Sequence, residues 1–124
     1  MAFVVIKNVK NGLYASLGGE DSFVFCNAQK DSAQEFAQAA AGGGKLSYRV
    51  GEKWLNYRDA TGAVKMDAQF GWKVQEVAAG VVVFFAPDAR QYMGISISED
   101  RTGLYVVGAN DPNSDYCRFN IEEV

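Results

Sequence analysis

The sequence predicts an all-β chain of twelve short strands in three pseudo-threefold repeats. Three observations predict it: dense turn punctuation, strand-length apolar runs between the turns, and a segment pattern that returns about every 40 residues.

The punctuation comes first. The chain holds 13 glycines, with marked turns at Asn11-Gly12, Gly18-Gly19, Gly42-Gly43-Gly44, Thr61-Gly62, Thr102-Gly103 and residues 110–113. The runs between them carry Val, Ile, Tyr and Phe, which suit a pleated, half-buried surface. They place strands at 3–9, 13–17, 23–26, 35–39, 46–50, 53–58, 63–66, 72–77, 81–86, 92–96, 104–107 and 118–123. One segment carries a conflicting signal. Residues 31–41 read locally as a capped helix, with Ser32 and Glu35 as a capping box and several alanines before a glycine stop. The repeat assigns a strand there instead.

Three kinds of segment define that repeat. Strand ends recur as Cys26-Asn27-Ala28-Gln29, Met66-Asp67-Ala68-Gln69 and Val107-Gly108-Ala109-Asn110, at spacings of 40 and 41 residues. Upstream strands recur as Gly12-Leu13-Tyr14-Ala15-Ser16-Leu17, Lys53-Trp54-Leu55-Asn56-Tyr57-Arg58 and Gln91-Tyr92-Met93-Gly94-Ile95-Ser96. Each unit closes on an aromatic, at Phe36, Trp72 and Phe119, with a polar insertion at 111–115 lengthening the third. By position, Tyr14, Leu55 and Met93 are equivalent and inward, as are Phe36, Trp72 and Phe119. Alternation then turns Leu13, Trp54 and Tyr92 outward, with Tyr57 also outward. A unit of this size cannot bury its own apolar face, so three units, at approximately 1–43, 44–80 and 81–124, share one core in a single domain spanning 1–124.

Charge and composition narrow the function. A net charge of −3 and a pI near 4.9 supply no broad positive field, so neither nucleic acid nor a membrane surface is expected as a partner. The longest apolar stretch, 78–86, is broken by Gly80 and is too short to span a bilayer. The N-terminal residues lack the pattern of a secretory signal, which points to a cytoplasmic protein unless export is unconventional. Cys26 and Cys117 each sit beside an aromatic, as buried free cysteines do; a bridge requires repeat packing to bring them together.

The chain has no histidine, which removes the commonest general base, the usual nucleophile partner and a common metal ligand. Two cysteines alone do not make a zinc site. The carboxylates at Glu20, Asp21, Asp59, Asp67, Asp88, Glu99, Asp100, Asp111 and Asp115 fall in or beside turns. The spacing Asp111-x-Asn113-x-Asp115 suits alternate oxygen ligands for calcium, but the twelve-residue loop is incomplete and Pro112 intrudes. Gly42-Gly43-Gly44-Lys45 lacks the glycine-to-lysine spacing of a phosphate loop. A non-enzyme with no metal and no cofactor is expected.

The residues that carry a family resemblance are Gly12-Leu13-Tyr14-Ala15-Ser16, Lys53-Trp54-Leu55-Asn56-Tyr57, Phe25-Cys26-Asn27-Ala28 and Cys117-Arg118-Phe119-Asn120-Ile121. Through them the chain resembles the β-trefoil superfamily, within it the fascin-like and hisactophilin-like branch. Two departures matter. The histidines of hisactophilin-like proteins are absent, and no Gln-x-Trp triplet of the ricin-type branch is present, since Phe70-Gly71 precedes Trp72. The wider trefoil resemblance implies a carbohydrate-binding, lectin-like protein. The fascin-like similarity implies a protein-interaction domain with actin as partner, and protease inhibition through a loop such as 109–115 is a further use of the fold. The local cluster best suited to a ligand is Trp54, Asn56, Tyr57, Arg58 and Asp59, where an aromatic face stands beside amide, guanidinium and carboxylate groups. The expected binding protein is a monomer or a weak homo-oligomer.

Overall fold

The computed structural model describes residues 2–18, 22–58, 61–95, 103–106 and 111–124. Among them are twelve strands: β1 (Ala2–Asn8), β2 (Tyr14–Gly18), β3 (Phe23–Ala28), β4 (Phe36–Gly42), β5 (Lys45–Val50), β6 (Lys53–Tyr57), β7 (Val64–Asp67), β8 (Lys73–Ala78), β9 (Val81–Ala86), β10 (Gln91–Ile95), β11 (Leu104–Val106) and β12 (Phe119–Glu123). Short 3₁₀ turns lie at Lys30–Ser32 and Asp115–Cys117.

Backbone pairing closes on itself. β1 pairs with β4, β4 with β5, β8 with β9, β9 with β12 and β12 with β1, all antiparallel. A bridge between Leu46 and Trp72 joins β5 to the residue before β8 and completes the ring. Closure satisfies backbone groups that an open edge would leave to other chains. The hairpins β2–β3, β6–β7 and β10–β11 branch from this ring, each antiparallel.

Strand register supplies the repeat map. Val4 stands opposite Phe36, Leu46 opposite Trp72 and Val82 opposite Phe119. Two residues further along each strand, Ile6, Tyr48 and Phe84 are at most 1% exposed and enter the same core. Phe36, Trp72 and Phe119 are each 0% exposed, so the three unit-closing aromatics occupy equivalent inward places. Val24, Val64 and Leu104, whose numbers differ by 40 each time, stand opposite Leu17, Tyr57 and Ile95.

The same register corrects three readings of the sequence. Lys7 faces Tyr14, Arg49 faces Trp54 and Phe85 faces Tyr92, so the outward aromatic of the first unit is Tyr14 and not Leu13. Its inward neighbour Ala15, opposite Cys26, matches Leu55 opposite Met66 and Met93 opposite Val106. A bulge between Tyr14 and Ala15 accompanies the slip. The third strand end is therefore matched at Val106; residues 107–110 lie outside the described residues. Tyr57 is also inward. It lies on the Leu55 face of β6, with its ring 5.5 Å from Phe70 and 6.3 Å from Trp72.

Residues 30–42 resolve the conflict between helix and strand. A 3₁₀ turn at Lys30–Ser32 has no side-chain cap, and β4 then runs from Phe36 to Gly42. Pairing with both β1 and β5, together with burial of Phe36 and Ala37, outweighs the helix preference of the alanines. Gly42, Gly43 and Gly44 all have positive φ (83°, 60° and 77°) in the β4–β5 turn, where side chains would strain.

Tyr48 breaks the usual rule for buried polar groups. It is 0% exposed, its ring meets Phe84 edge-on at 5.6 Å, and its hydroxyl has no partner among the described residues. Burial raises its phenol pKa. Tyr48→Phe removes the unpaired hydroxyl and keeps the ring, so urea unfolding should show unchanged or higher stability, by up to about 1 to 2 kcal/mol. A loss above about 1 kcal/mol would mean that the hydroxyl is bonded in solution.

Candidate functional site

The outer face of β5, β6 and β7 carries the candidate site. On β6, alternation points Leu55 and Tyr57 into the core and leaves Trp54, Asn56 and, beyond the strand, Arg58 on the other side. Trp54 is half-buried. Arg49 stands opposite it on β5, with its guanidinium 5.6 Å from the ring centre, and Asp67 stands opposite it on β7. A cation, an aromatic ring and a carboxylate thus form one row across three strands spaced about 5 Å apart.

A second row runs alongside. Asn56 pairs with Lys65, and Lys65 pairs in turn with Phe23 on β3, its ammonium 5.5 Å from the Phe23 ring centre. The Asn56 amide donates to the Ala68 carbonyl at 2.9 Å, while its oxygen accepts from the Tyr57 N–H at 2.8 Å. Those bonds tie both ends of the side-chain amide to backbone groups. Arg58 is exposed and borders a cleft of about 280 Å³ lined with Phe23, Phe25, Thr61 and Gly103. On the β5 side the neighbouring strand places Ala37 opposite Arg49 and Ala39 opposite Ser47, so small side chains flank the row.

Of the five residues expected at the site, the structure therefore brings Trp54, Asn56 and Arg58 to one side. Tyr57 belongs to the core, and Asp59 lies outside the described residues. Arg49, Lys65 and Asp67 were missed. The signal for them was cross-strand register, which no stretch of contiguous residues displays.

The equivalent positions in the other units are built differently. Tyr14 is only 7% exposed, and its hydroxyl donates to both Glu122 oxygens at 2.9 and 3.1 Å. Glu122 also pairs with Lys30 at 3.0 Å, and Ala28 stands where the second unit has Asp67. Tyr92 packs against Phe85 with ring centres 5.1 Å apart.

The Lys30 ammonium does most to hold the Glu122 carboxyl below its usual range; burial opposes it, and the Tyr14 hydroxyl adds to the lowering. A depressed folded-state pKa contributes stability above the unfolded value near 4.3 that is lost as pH falls through the folded value. Acid titration of wild type should show this loss, and Glu122→Gln should flatten that part of the stability profile.

The polar groups of the 111–118 turn bond to its own backbone. Asp111 accepts from the Asn113 N–H at 2.9 Å, Ser114 accepts from the Tyr116 N–H at 3.2 Å, and Arg118 donates to the Pro112 carbonyl at 3.1 Å. These bonds make 111–118 a closed turn, with the Arg118 guanidinium on the Pro112 carbonyl. Cys26 and Cys117 are free and buried, and burial pushes the Cys26 thiol up to about 12. Among the described residues no group of three or more Cys, Asp or Glu side chains is placed to hold a metal, and no helix is long and apolar enough to cross a membrane.

No family model and no curated protein matches the sequence. Solved structures do match. The designed three-fold symmetric protein ThreeFoil is 11% identical with a TM-score of 0.77, over 98% of this chain and 99% of that one. The Macrolepiota procera ricin B-like lectin, in complex with lactose, is 18% identical with a TM-score of 0.78, over 98% of this chain and 95% of that one. Cry35Ab1 is 14% identical with a TM-score of 0.76; the match covers 99% of this chain and 36% of Cry35Ab1. At these identities the likeness establishes a shared fold.

Proposed function

We propose that this β-trefoil domain is a non-catalytic, lectin-like carbohydrate-binding protein whose ligand sits on the Arg49, Trp54 and Asp67 row beside Asn56. The observation that carries the reading is the row itself. An indole suits the apolar face of a sugar ring, and carboxylate, amide and guanidinium groups at its sides suit the hydroxyls. A protein of the same fold binding lactose supports the reading. Among the described residues, Asp67 is the one carboxylate in the two rows, where glycoside hydrolysis uses a pair.

The test is a glycan array run beside an actin cosedimentation assay. Sugar binding without actin pelleting is the expected result. Actin pelleting without any bound glycan would replace this reading with a fascin-like interaction domain.

A further inference from the structure

We propose that the ligand of this face is an acidic glycan, one whose sugars carry carboxylates; this rests on the carbohydrate-binding reading above. The first observation is the distribution of charge. Residues 44–80 hold six Lys and Arg against four Asp and Glu, a net of +2. Residues 1–43 hold three against four, and residues 81–124 hold three against seven. The unit that carries Trp54 is therefore the one cationic third of a chain whose net charge is −3.

The second observation is where those cations stand. Arg49 lies against Trp54, Lys65 pairs with Asn56, and Arg58 follows Asn56 on the same side of β6. Outward positions on a strand are about 6.7 Å apart and neighbouring strands about 5 Å, so the three cations surround Trp54 and Asn56 over the length of a short oligosaccharide. Asp67 is the one acid among these paired positions. The first unit, by contrast, balances its aromatic with Glu122, Lys30 and Lys7.

Geometry selects the kind of anion. A guanidinium placed beside an indole is a planar fork, which matches a carboxylate on a ring stacked on that indole. Lys65 supplies a point charge held close to Phe23. A uronic-acid oligomer presents both features, a pyranose face and a carboxylate on each ring.

The test uses oligomers of galacturonate and glucuronate beside their methyl esters, which keep the ring and remove the charge. Binding is read by calorimetry at about 20 mM and about 500 mM salt, where screening lengths differ several-fold. The acid should bind about tenfold more tightly than the ester at low salt, as a charge-assisted contact implies. That gap should shrink at high salt and in Arg49→Gln and Lys65→Gln, each of which should weaken binding of the acid more than binding of the ester. Two variants on different strands, each checked for a native near-ultraviolet spectrum, guard against a local folding defect. Equal binding of acid and ester overturns the acidic preference and leaves the carbohydrate reading standing. A preference that persists in both variants removes this face as its source. Failure of acids, esters and neutral sugars alike overturns the carbohydrate reading, and this inference with it.

Discussion

Trp72→Ala is expected to destabilise the domain by about 3 to 5 kcal/mol. Trp72 is 0% exposed, and its indole N–H donates to the Leu55 carbonyl at 3.0 Å. Its ring meets Phe70 at 5.0 Å and Phe84 at 6.2 Å, both edge-on, so it joins the core to the inner side of the candidate face. Its backbone also forms the two hydrogen bonds with Leu46 that complete the strand ring. Truncation leaves a cavity, frees the Leu55 carbonyl and loosens β6 from beneath. For a domain of this size, such a loss lowers the midpoint of thermal unfolding by roughly 10 to 20 °C. Calorimetric unfolding checks it. Trp72→Phe, which copies Phe36 and Phe119, should recover much of the loss but not the hydrogen bond.

Asn8→Ala is expected to cost about 2 to 4 kcal/mol although it removes only a small side chain. Asn8 is 0% exposed. Its oxygen accepts from the Lys10 and Asn11 N–H groups at 2.9 and 3.3 Å, and its amide donates to the Tyr116 and Arg118 carbonyls at 3.1 and 3.4 Å. One side chain therefore closes the β1–β2 turn and ties it to the segment leading into β12. Removal strands several partly buried backbone groups, each costing about 1 to 3 kcal/mol where water cannot replace the lost partner. The equivalent positions in the other units are Val50 and Ala86, so a consensus of the repeats would recommend an apolar residue here. Asn8→Val should nonetheless destabilise. Urea unfolding with an unchanged slope, read at the midpoint, checks both variants.

These cases show what the residues displayed in one dimension and what they hid. The closing aromatics Phe36, Trp72 and Phe119 were legible, because large apolar residues after a turn have one sensible destination. The alanine-rich run at 36–42 was legible only through the repeat, since its local preference is helical and its strand pairing is tertiary. Tyr14 was placed one position off because Leu13 and Tyr14 are both apolar, and the bulge that decides between them leaves no mark on composition. Tyr57 was placed outward with Trp54, although two-residue periodicity from Leu55 turns it inward. At the candidate face, Trp54, Asn56 and Arg58 were visible as contiguous sequence. Arg49, Lys65 and Asp67 arrive from neighbouring strands, five to thirteen residues away from Trp54, through register alone.

Register also gives the departures from symmetry their meaning. Tyr14, Trp54 and Tyr92 hold one position in three units, yet the first is bonded to Glu122 and the third packs on Phe85. In the second unit the aromatic stands between a guanidinium and a carboxylate, beside an ordered amide. We propose that this difference marks the binding site.

The most direct measurement is a titration of wild type, Trp54→Ala and Tyr92→Ala with whichever glycan the array identifies, with each variant first shown to be folded by circular dichroism. Trp54→Ala should lose at least about tenfold in affinity, as removal of a stacking aromatic at a binding hot spot implies, while Tyr92→Ala should bind as wild type. Retained affinity in Trp54→Ala, or an equal loss in Tyr92→Ala, would contradict a site at Trp54.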